Sequence, residues 1–492
     1  MKTLTLREIT EAVNGLVISG PGEALITGVS TDSRTVREGD VFIALIGARS
    51  DAHDYIGQVA NTGAKAVIVS DKEKTLQALA GNNEVTAILV DDTLQALLDL
   101  GGYYLRGLGY KHVIGVTGSV GKTSTKDFLG SVLAEKFRTV CSTKNHNSVY
   151  GLPLCIFELD PEAEAAVLEM GITDKEAMSR LADMVRPEAG VISNIGISHL
   201  EFFPEEKREG ILKSKLSITR YFDDDSVLAI YSDNDILHEL DLKERGIKGR
   251  LVKVGTEPDC DFIINDVTDK GSEGIEFSLT YEQKTYNIKL GVAGAHNAIN
   301  GTLAIALGVS YGLTVEEAIR GLEKTELSEH RLDVMETRGI KIIDDSYNAA
   351  PDSMFSAMNT LMATPIGEDG RHVAILGDIG ELGSEREAGH RAVGEYAFHK
   401  EIGTVLAVGK DSKYIFDGWM DAALQEGHHV KKLNEVPLIL VDDDTGCAVE
   451  YFDSADMVLS GIREHTKAGD VVLVKASHFM GFDRIVKRLM EE

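Results

Sequence analysis

The sequence has few cysteines, no signal-peptide core and no long apolar run. Its 492 residues include four cysteines, and no two of them form a Cys-x-x-Cys pair. This scarcity argues against a disulfide framework or a zinc site and fits a reducing compartment. The first ten residues lack the apolar core of a secretion signal, and no apolar run approaches the roughly 18 residues that span a bilayer. We therefore predict a cytoplasmic protein with no membrane insertion.

Positive charge is also scarce. The chain carries 50 lysines and arginines against 79 aspartates and glutamates, a formal net charge of −29. Nucleic acids and anionic membranes bind basic surfaces, so we expect no nucleic-acid partner. Anionic small substrates remain compatible, because a few local cations dominate the field in a cleft. The length exceeds what a single core supports, which predicts about two to four domains.

A glycine-rich turn joins a short apolar run to a helical pattern at residues 112–133. Val113 to Val116 predict a buried strand, and apolar residues recur at helical spacing after Lys122. This is the setting of a phosphate-binding loop, where backbone N–H groups and a helix N-terminus attract an anion. Lys122 would reach the β- and γ-phosphates of ATP, and the Thr123 hydroxyl would bind Mg²⁺. The usual first glycine is replaced by Val116, so a chance glycine-rich turn is the alternative. The predicted ATP-binding residues of the loop are Thr117, Gly118, Ser119, Val120, Gly121, Lys122, Thr123 and Ser124.

The alternation of strand-like and helical segments predicts an α/β protein of three domains. Residues 1–108 are predicted to form a small N-terminal α/β domain, and residues 109–327 a central P-loop ATPase-like domain with a parallel sheet. Residues 328–492 are predicted to form a C-terminal Rossmann-like domain with a doubly wound sheet. An alternating pattern over residues 275–290 predicts a β-hairpin in the central domain.

Polar residues follow several of the predicted strands, where ligands bind in an open parallel sheet. Glu169 could hold Mg²⁺ and His199 a second metal, although a lone loop histidine is otherwise structural or solvated. Asn297 and Asn300 share a helix face and either bind a base or ribose or cap the helix. The polar segments 30–34 and 47–55 are either plain loops or ligand contacts. The donors to a polar or phosphorylated ligand would then include Ser33 and Arg34.

Taken in order along the whole chain, the motifs resemble those of the Mur ligases of peptidoglycan synthesis. Residues 117–123 are similar to the variant phosphate loop of that family, which accounts for the missing first glycine. The other similar segments are 144–153, 169–171, 194–201, 294–300 and 330–333. Residues 344–354 and 377–383 resemble signatures of the member that adds D-alanyl-D-alanine. Two departures are Ala350 in place of asparagine and Lys475-Ala-Ser-His478 in place of Lys-Gly-Ser-Arg.

The resemblance also implies roles for individual residues. Thr123 and Glu169 would hold one Mg²⁺, and His199 with a carbamylated Lys215 would hold a second; Lys213 competes with Lys215 for this place. Catalysis would depend on Lys122, His199, Lys215 and Arg331. The ATP contacts outside the loop would be His296, Asn297, Asn300, Arg331, Asp345 and Tyr347. The substrate contacts would be Ser33, Arg34, Asn145, Asn147 and Asn348.

The implied function is an ATP-dependent, ADP-forming amide ligase that acts as a monomer. It would join D-alanyl-D-alanine to the carboxylate of UDP-N-acetylmuramoyl-tripeptide through an acyl phosphate. One alternative is a ligase of the same fold that adds the third amino acid or extends a folate. Another, from a different class, is a P-loop protein that binds ATP as a switch without ligating anything.

Overall fold

The computed structural model describes residues 1–47, 49–143, 146–435 and 437–491. It confirms the predicted α/β architecture of three domains, each built around its own sheet. The predicted substrate residue Asn145 lies outside the described residues. None of the helices within the described ranges has both the length and the apolar character needed to cross a membrane.

The N-terminal domain contains a five-stranded sheet in the order β2-β7-β6-β5-β4 and a separate β1-β3 pair. Its strands are β1 (Leu4–Thr5), β2 (Leu16–Ser19), β3 (Leu25–Ile26), β4 (Gly28–Ser30), β5 (Asp40–Ile43), β6 (Ala66–Val69) and β7 (Thr86–Leu89). Its helices are α1 (Leu6–Ala12), α2 (Ile56–Ala60), α3 (Lys72–Ala78) and α4 (Thr93–Leu108). Strands β5 and β6 are buried along their whole length, which explains their continuous apolar sequence.

The central domain contains a nine-stranded sheet in the order β16-β15-β14-β13-β12-β11-β8-β10-β9. Its strands are β8 (His112–Thr117), β9 (Thr139–Cys141), β10 (Ala165–Glu169), β11 (Ala189–Ile192), β12 (Val227–Tyr231), β13 (Arg250–Gly255), β14 (Phe262–Asp269), β15 (Ile275–Tyr281) and β16 (Lys284–Leu290). Its helices are α5 (Lys122–Leu133), α6 (Gly151–Glu158), α7 (Ala177–Val185), α8 (Lys207–Lys215), α9 (Asp235–His238), α10 (Asn297–Ser310) and α11 (Val315–Glu323). Strands β8 to β14 pair in parallel, and the predicted hairpin β15-β16 continues the same sheet in antiparallel pairing.

The C-terminal domain contains an eight-stranded sheet in the order β17-β18-β24-β19-β20-β23-β22-β21. Its strands are β17 (Asp333–Thr337), β18 (Ile340–Asp344), β19 (His372–Gly377), β20 (Thr404–Val408), β21 (Val430–Glu435), β22 (Leu438–Asp442), β23 (Ala448–Phe452) and β24 (Val471–Lys475). Its helices are α12 (Pro351–Ala363), α13 (Arg386–His399), α14 (Lys413–Gln425), α15 (Ala455–Gly461) and α16 (Asp483–Met490). The five inner strands are parallel, whereas β17, β22 and β21 are antiparallel, so the sheet is less uniformly parallel than the sequence predicted.

The central and C-terminal domains meet at the carboxyl ends of the central parallel strands. Arg331 of the C-terminal domain donates a hydrogen bond to the Thr123 hydroxyl at 2.7 Å. Farther along the boundary, the Ser272 N–H donates to Thr364 Oγ1 at 3.1 Å. The cleft next to the phosphate loop is therefore lined by residues from both domains.

Candidate active site

The predicted phosphate loop leaves β8 at Thr117 and is fastened to the end of the neighbouring strand β11. The Ser119 N–H donates to the Asn194 carbonyl at 3.0 Å, and the Val120 N–H donates to Asn194 Oδ1 at 2.8 Å. Gly118 has a φ of +152°, and a Cβ atom there would lie 1.9 Å from Ser193 Oγ. Only glycine therefore fits at the start of the loop. Gly121, with a φ of +81°, then turns the chain into helix α5.

Two lysines, the half-buried Lys122 and the fully buried Lys215, converge on one carbonyl of this loop. Lys122 Nζ donates to the Gly118 carbonyl at 3.0 Å and to the Ser119 carbonyl at 3.2 Å. Lys215 Nζ donates to the same Gly118 carbonyl at 2.8 Å. Burial lowers the pKa of both lysines, and for Lys215 the neighbouring charge of Lys122 lowers it further. The competing Lys213, in contrast, is exposed to solvent.

Oxygen ligands for a divalent cation lie beside the loop. Thr123 Oγ1 donates to Glu169 Oε2 at 2.7 Å, and Asn147 Nδ2 donates to Glu169 Oε1 at 2.8 Å. The hydroxyl and the carboxylate are the kinds of oxygen that Mg²⁺ prefers. The structure thus brings the predicted Thr123, Glu169, Asn147 and Arg331 together, as Arg331 donates to the same hydroxyl.

His199 contacts a residue that the sequence analysis did not assign. It follows strand β11 with a φ of +67°, and its Nδ1 lies 2.5 Å from Glu381 Oε2 of the C-terminal domain. Burial lowers the pKa of His199, and the charges of Lys215 and Lys122 contribute in the same direction. The other ring nitrogen, Nε2, takes no part in this contact. Glu381 lies within the segment 377–383, whose resemblance to the family implies no role for this residue.

Asn297 and Asn300 are buried and already hydrogen-bonded to the protein. Asn297 Nδ2 donates to the Ala293 carbonyl at 2.8 Å, and Asn300 Nδ2 donates to Asn297 Oδ1 at 3.1 Å. Thr125 of helix α5 donates to Asn300 Oδ1 at 3.3 Å. These bonds connect helix α10 to helix α5. They use only part of the donor and acceptor capacity of the two amides, so the contact of Asn297 and Asn300 with ATP stays a prediction.

The third domain contributes a stack of side chains to the cleft. The Arg331 guanidinium lies over the Tyr347 ring at 4.3 Å, and the Tyr347 ring centre lies 5.5 Å from that of His478. Lys475, which is 2% exposed, places Nζ 2.5 Å from Asp345 Oδ2. Lys475 also donates to the carbonyl of Asn348 at 2.9 Å. The sequence shows Lys475 only as part of a variant loop. It does not show the ion pair with Asp345, because the two residues are 130 positions apart in the chain.

Several buried polar atoms in the central and C-terminal domains have no hydrogen-bond partner among the residues that the structure describes. They include Arg331 Nε, His296 Nδ1 and Ser346 Oγ. Buried polar groups without partners are rare in folded proteins and are expected to meet a ligand or water. Arg331 contacts Thr123 at the phosphate loop, where its unpartnered Nε fits a polar ligand such as a nucleotide.

Ser33 and Arg34 lie in the N-terminal domain, in the loop after β4. Arg34 Nη2 lies 2.6 Å from Asp32 Oδ2, and the hydrogen bonds from Arg34 lower the pKa of Asp32 to about 2. The Arg34 side chain is exposed, with its guanidinium held by a neighbour in the same loop. Within the described ranges, the Arg34 side chain donates its hydrogen bonds to Asp32 alone.

Three family models match the chain in order. "Mur ligase family, catalytic domain" matches residues 25–102, "Mur ligase middle domain" residues 116–308, and "Mur ligase, glutamate ligase domain" residues 330–478. The UDP-N-acetylmuramoyl-tripeptide–D-alanyl-D-alanine ligase of Bacillus subtilis is 33% identical over 99% of this chain and 98% of its own length.

Solved structures are similar over the same extent. A crystal structure of MurF from Acinetobacter baumannii has a TM-score of 0.84 and 27% identity, and covers all of both chains. MurF ligase from Thermotoga maritima, solved in complex with ADP, has a TM-score of 0.76 and 25% identity over 94% of this chain and 97% of its own. The family that the motifs resemble is thereby confirmed: this chain belongs to the Mur ligases.

Proposed function

We propose that this chain is an ATP-dependent, ADP-forming ligase that joins D-alanyl-D-alanine to UDP-N-acetylmuramoyl-tripeptide. The observation that carries the proposal is the full-length similarity to a ligase of that name, combined with a phosphate loop whose neighbours include carboxylate, lysine and arginine side chains. The product would be the pentapeptide precursor of peptidoglycan.

The reaction proceeds in two steps. The tripeptide carboxylate attacks the γ-phosphorus of ATP, ADP leaves, and an acyl phosphate forms. The amine of D-alanyl-D-alanine then attacks the acyl carbon, loses a proton, and phosphate leaves. Because an anionic carboxylate approaches an anionic phosphate, positioning and charge neutralisation dominate the first step. Lys122, which lies at the loop, and Arg331, which reaches it from the other domain, provide positive charge.

The donor set beside the loop fits magnesium. Thr123 Oγ1 and Glu169 Oε2 lie 2.7 Å apart and supply a hydroxyl and a carboxylate. We propose that they hold one Mg²⁺, and that His199 and Lys215 hold a second. Bound Mg²⁺ would neutralise phosphate charge as it develops in the transition state.

We further propose that Lys215 is carbamylated. A neutral amine is needed to attack CO₂, with release of a proton, and burial lowers the pKa of Lys215 well below its ordinary value. Lys215 is fully buried and faces the loop, whereas Lys213 is exposed. A carbamate carbonyl signal in ¹³C NMR after incubation with ¹³C-bicarbonate, lost in Lys215→Arg and retained in Lys213→Arg, supports this assignment. Loss of the signal in Lys213→Arg alone reverses it.

We propose that the protein acts as a cytoplasmic monomer. We also propose that residues 1–108, 109–327 and 328–492 form three domains with different binding roles. The first unit would bind the UDP-sugar through Ser33 and Arg34, the second would bind ATP, and the third would close on both. Asn147 and Asn348 would contact the acceptor peptide.

The function is tested by phosphate release from ATP and Mg²⁺ with the tripeptide precursor, with and without D-alanyl-D-alanine. Release that requires both substrates, together with a pentapeptide product identified by mass, supports the proposal. Phosphate release with a free amino acid and the dipeptide precursor, but not with D-alanyl-D-alanine, would instead indicate the ligase that adds the third amino acid. ATP binding without phosphate release in any combination of substrates would favour the alternative of a P-loop protein that binds ATP as a switch.

A further inference from the structure

We infer that Asp127 is a positioning residue, which holds the linker between the central and C-terminal domains so that Arg331 reaches the phosphate loop. The linker is defined here as residues 325–329. The inference deepens the proposed function, because it explains how one domain delivers a cation to the nucleotide site of another. Its kinetic test rests on that function, whereas its structural test requires only ATP binding.

The linker is fixed to helix α5 through one carboxylate oxygen. Asp127 Oδ2 accepts hydrogen bonds from the Ser328 N–H at 2.9 Å and from the Ser328 hydroxyl at 2.8 Å. Three residues later, Arg331 Nη2 donates to Thr123 Oγ1 at 2.7 Å. Thr123 and Asp127 are one turn apart on the same face of α5. The chain therefore runs along the first turns of α5 and is attached to it at two points.

The other carboxylate oxygen of Asp127 belongs to the central domain. Asp127 Oδ1 lies 2.9 Å from Lys126 Nζ, and Lys126 Nζ donates to the Ser142 carbonyl at 2.9 Å. Ser142 Oγ in turn accepts from the Glu169 N–H at 2.9 Å. Glu169 accepts from Thr123, the residue that Arg331 contacts. These contacts form a closed polar ring that joins the linker, the predicted metal ligands and the phosphate loop.

Burial explains why this ring holds its shape. Lys126 is 2% exposed, and a buried ammonium group is strongly destabilising without a partner, so the ion pair fixes the carboxylate of Asp127 in one place. Hydrogen bonds to a charged acceptor are stronger and shorter than neutral ones. The ion pair with Lys126 uses only Oδ1 of Asp127, so it does not explain the contact of Oδ2 with Ser328. The second oxygen instead restrains a residue at the boundary of the next domain.

The test compares Ser328→Ala with Ser310→Ala. Ser328→Ala removes the hydroxyl contact and leaves the buried Lys126–Asp127 pair intact. Ser310 is a matched control, because its hydroxyl contacts Arg250 and the Ala306 carbonyl within the central domain. We expect Ser328→Ala to lower kcat about tenfold, as for the loss of one hydrogen bond to a charged group, with a smaller change in KM for ATP. Ser310→Ala should leave kcat unchanged, and Ser328→Thr should restore it.

Two further measurements separate positioning from general stability. In an Arg331→Ala background, Ser328→Ala should cause no additional loss of kcat, because the two residues act as one unit. Full additivity in that background overturns the inference. So does a wild-type kcat in both Ser328→Ala and Asp127→Asn, the latter being the second variant because it weakens both contacts of the carboxylate.

The structural readout is the radius of gyration from small-angle X-ray scattering with a non-hydrolysable ATP analogue. We expect the wild type and Ser310→Ala to match the domain arrangement in which Arg331 contacts Thr123, and Ser328→Ala to have a larger radius of gyration. Equal radii in all three proteins contradict the inference. If the wild type compacts but releases no phosphate with any acceptor, the proposed function fails while the role of Asp127 stands.

Discussion

At the scale of single residues, the phosphate loop brings the ammonium groups of two lysines to one backbone carbonyl. Lys122 and Lys215 both donate to the Gly118 carbonyl, and burial lowers the pKa of each. Bringing two ammonium groups to one carbonyl is unfavourable unless an anion joins them. This repulsion favours the neutral form of Lys215, which is the form that the proposed carbamylation requires.

Lys122→Ala is expected to abolish phosphate release, because it removes the cation that we propose to contact the β- and γ-phosphates. The fold should survive, since the Lys122 Nζ contacts within the described chain are to loop carbonyls and not to core groups. Phosphate release measures the first effect, and the circular dichroism melting curve measures the second. Full activity in Lys122→Ala would refute the assignment of the phosphate loop.

Glu381 supplies a second prediction at this scale. Its carboxylate lies 2.5 Å from His199 Nδ1, and carboxylates that contact one ring nitrogen orient histidines for ligation through the other. Glu381→Ala should lower kcat about tenfold. Glu387→Ala, which breaks an exposed pair with Arg391 inside one helix, is the control and should be neutral. Equal kcat values for the two variants would show that the contact with His199 is dispensable.

The sequence predicted some residues of this site and missed others, for a physical reason. The loop residues 117–124 are contiguous, and their glycines and following helix carry the signal locally. Glu381, Asp127 and Ser328 carry no such signal, because each acts through a partner far away in the chain. Spacing correctly put Asn297 and Asn300 on one helix face. It could not show that their amides bond to each other and to Thr125 of another helix.

At the scale of elements, backbone geometry explains the first glycine of the loop. A Cβ at Gly118 would lie 1.9 Å from Ser193 Oγ, so Gly118→Ala would push the loop away from the end of β11. We expect at least a hundredfold loss of turnover, as misplacement of a phosphate site by about 1 Å costs that much. Gly107→Ala in helix α4, where the added methyl group meets open space, is the control for the substitution. Retention of activity in Gly118→Ala would contradict the proposed geometry.

The polar segment 47–55 serves the fold of the N-terminal domain. His53 is buried, and its Nε2 accepts from the Ser70 N–H at 2.9 Å. Its Nδ1 lies 2.6 Å from Asp51 Oδ1, and Lys74 Nζ lies 2.7 Å from Asp51 Oδ2. These contacts support the plain-loop alternative for this segment and fasten it to helix α3.

The same contacts make a pH-dependent prediction. Burial would raise the pKa of Asp51, but hydrogen bonds from Lys74 and His53 outweigh it and lower the pKa from 3.8 to about 2. A lowered folded-state pKa stabilises the fold above about pH 4 and loses that effect as the pH falls through about 2. Asp51→Asn should therefore destabilise the protein by about 1 kcal/mol at pH 7, after discounting for solvent, and by much less near pH 2. Urea unfolding at the two pH values measures this, and an equal effect at both would exclude the ionic contribution.

At the scale of the whole molecule, the three-domain α/β architecture was predictable because strand and helix patterns alternate throughout. The antiparallel pairing of β21 with β22 was not predictable, because the sequence of an exposed strand such as β21 resembles that of a polar loop. The arrangement of the domains was also inaccessible, since it depends on single contacts such as the one between Arg331 and Thr123.

The position of the last strand has a consequence for how the protein is made. Strand β24 is nearly the final element of the chain, yet it lies between β18 and β19 in the middle of the third sheet. That sheet cannot close before its C-terminal segment leaves the ribosome, so the domain that carries Arg331 stays incomplete until then. A nascent chain or a fragment truncated before β24 would already carry the phosphate loop but not the assembled cleft. Assembly of the third sheet, and with it of the cleft that Arg331 enters, is therefore a late step in the synthesis of the chain.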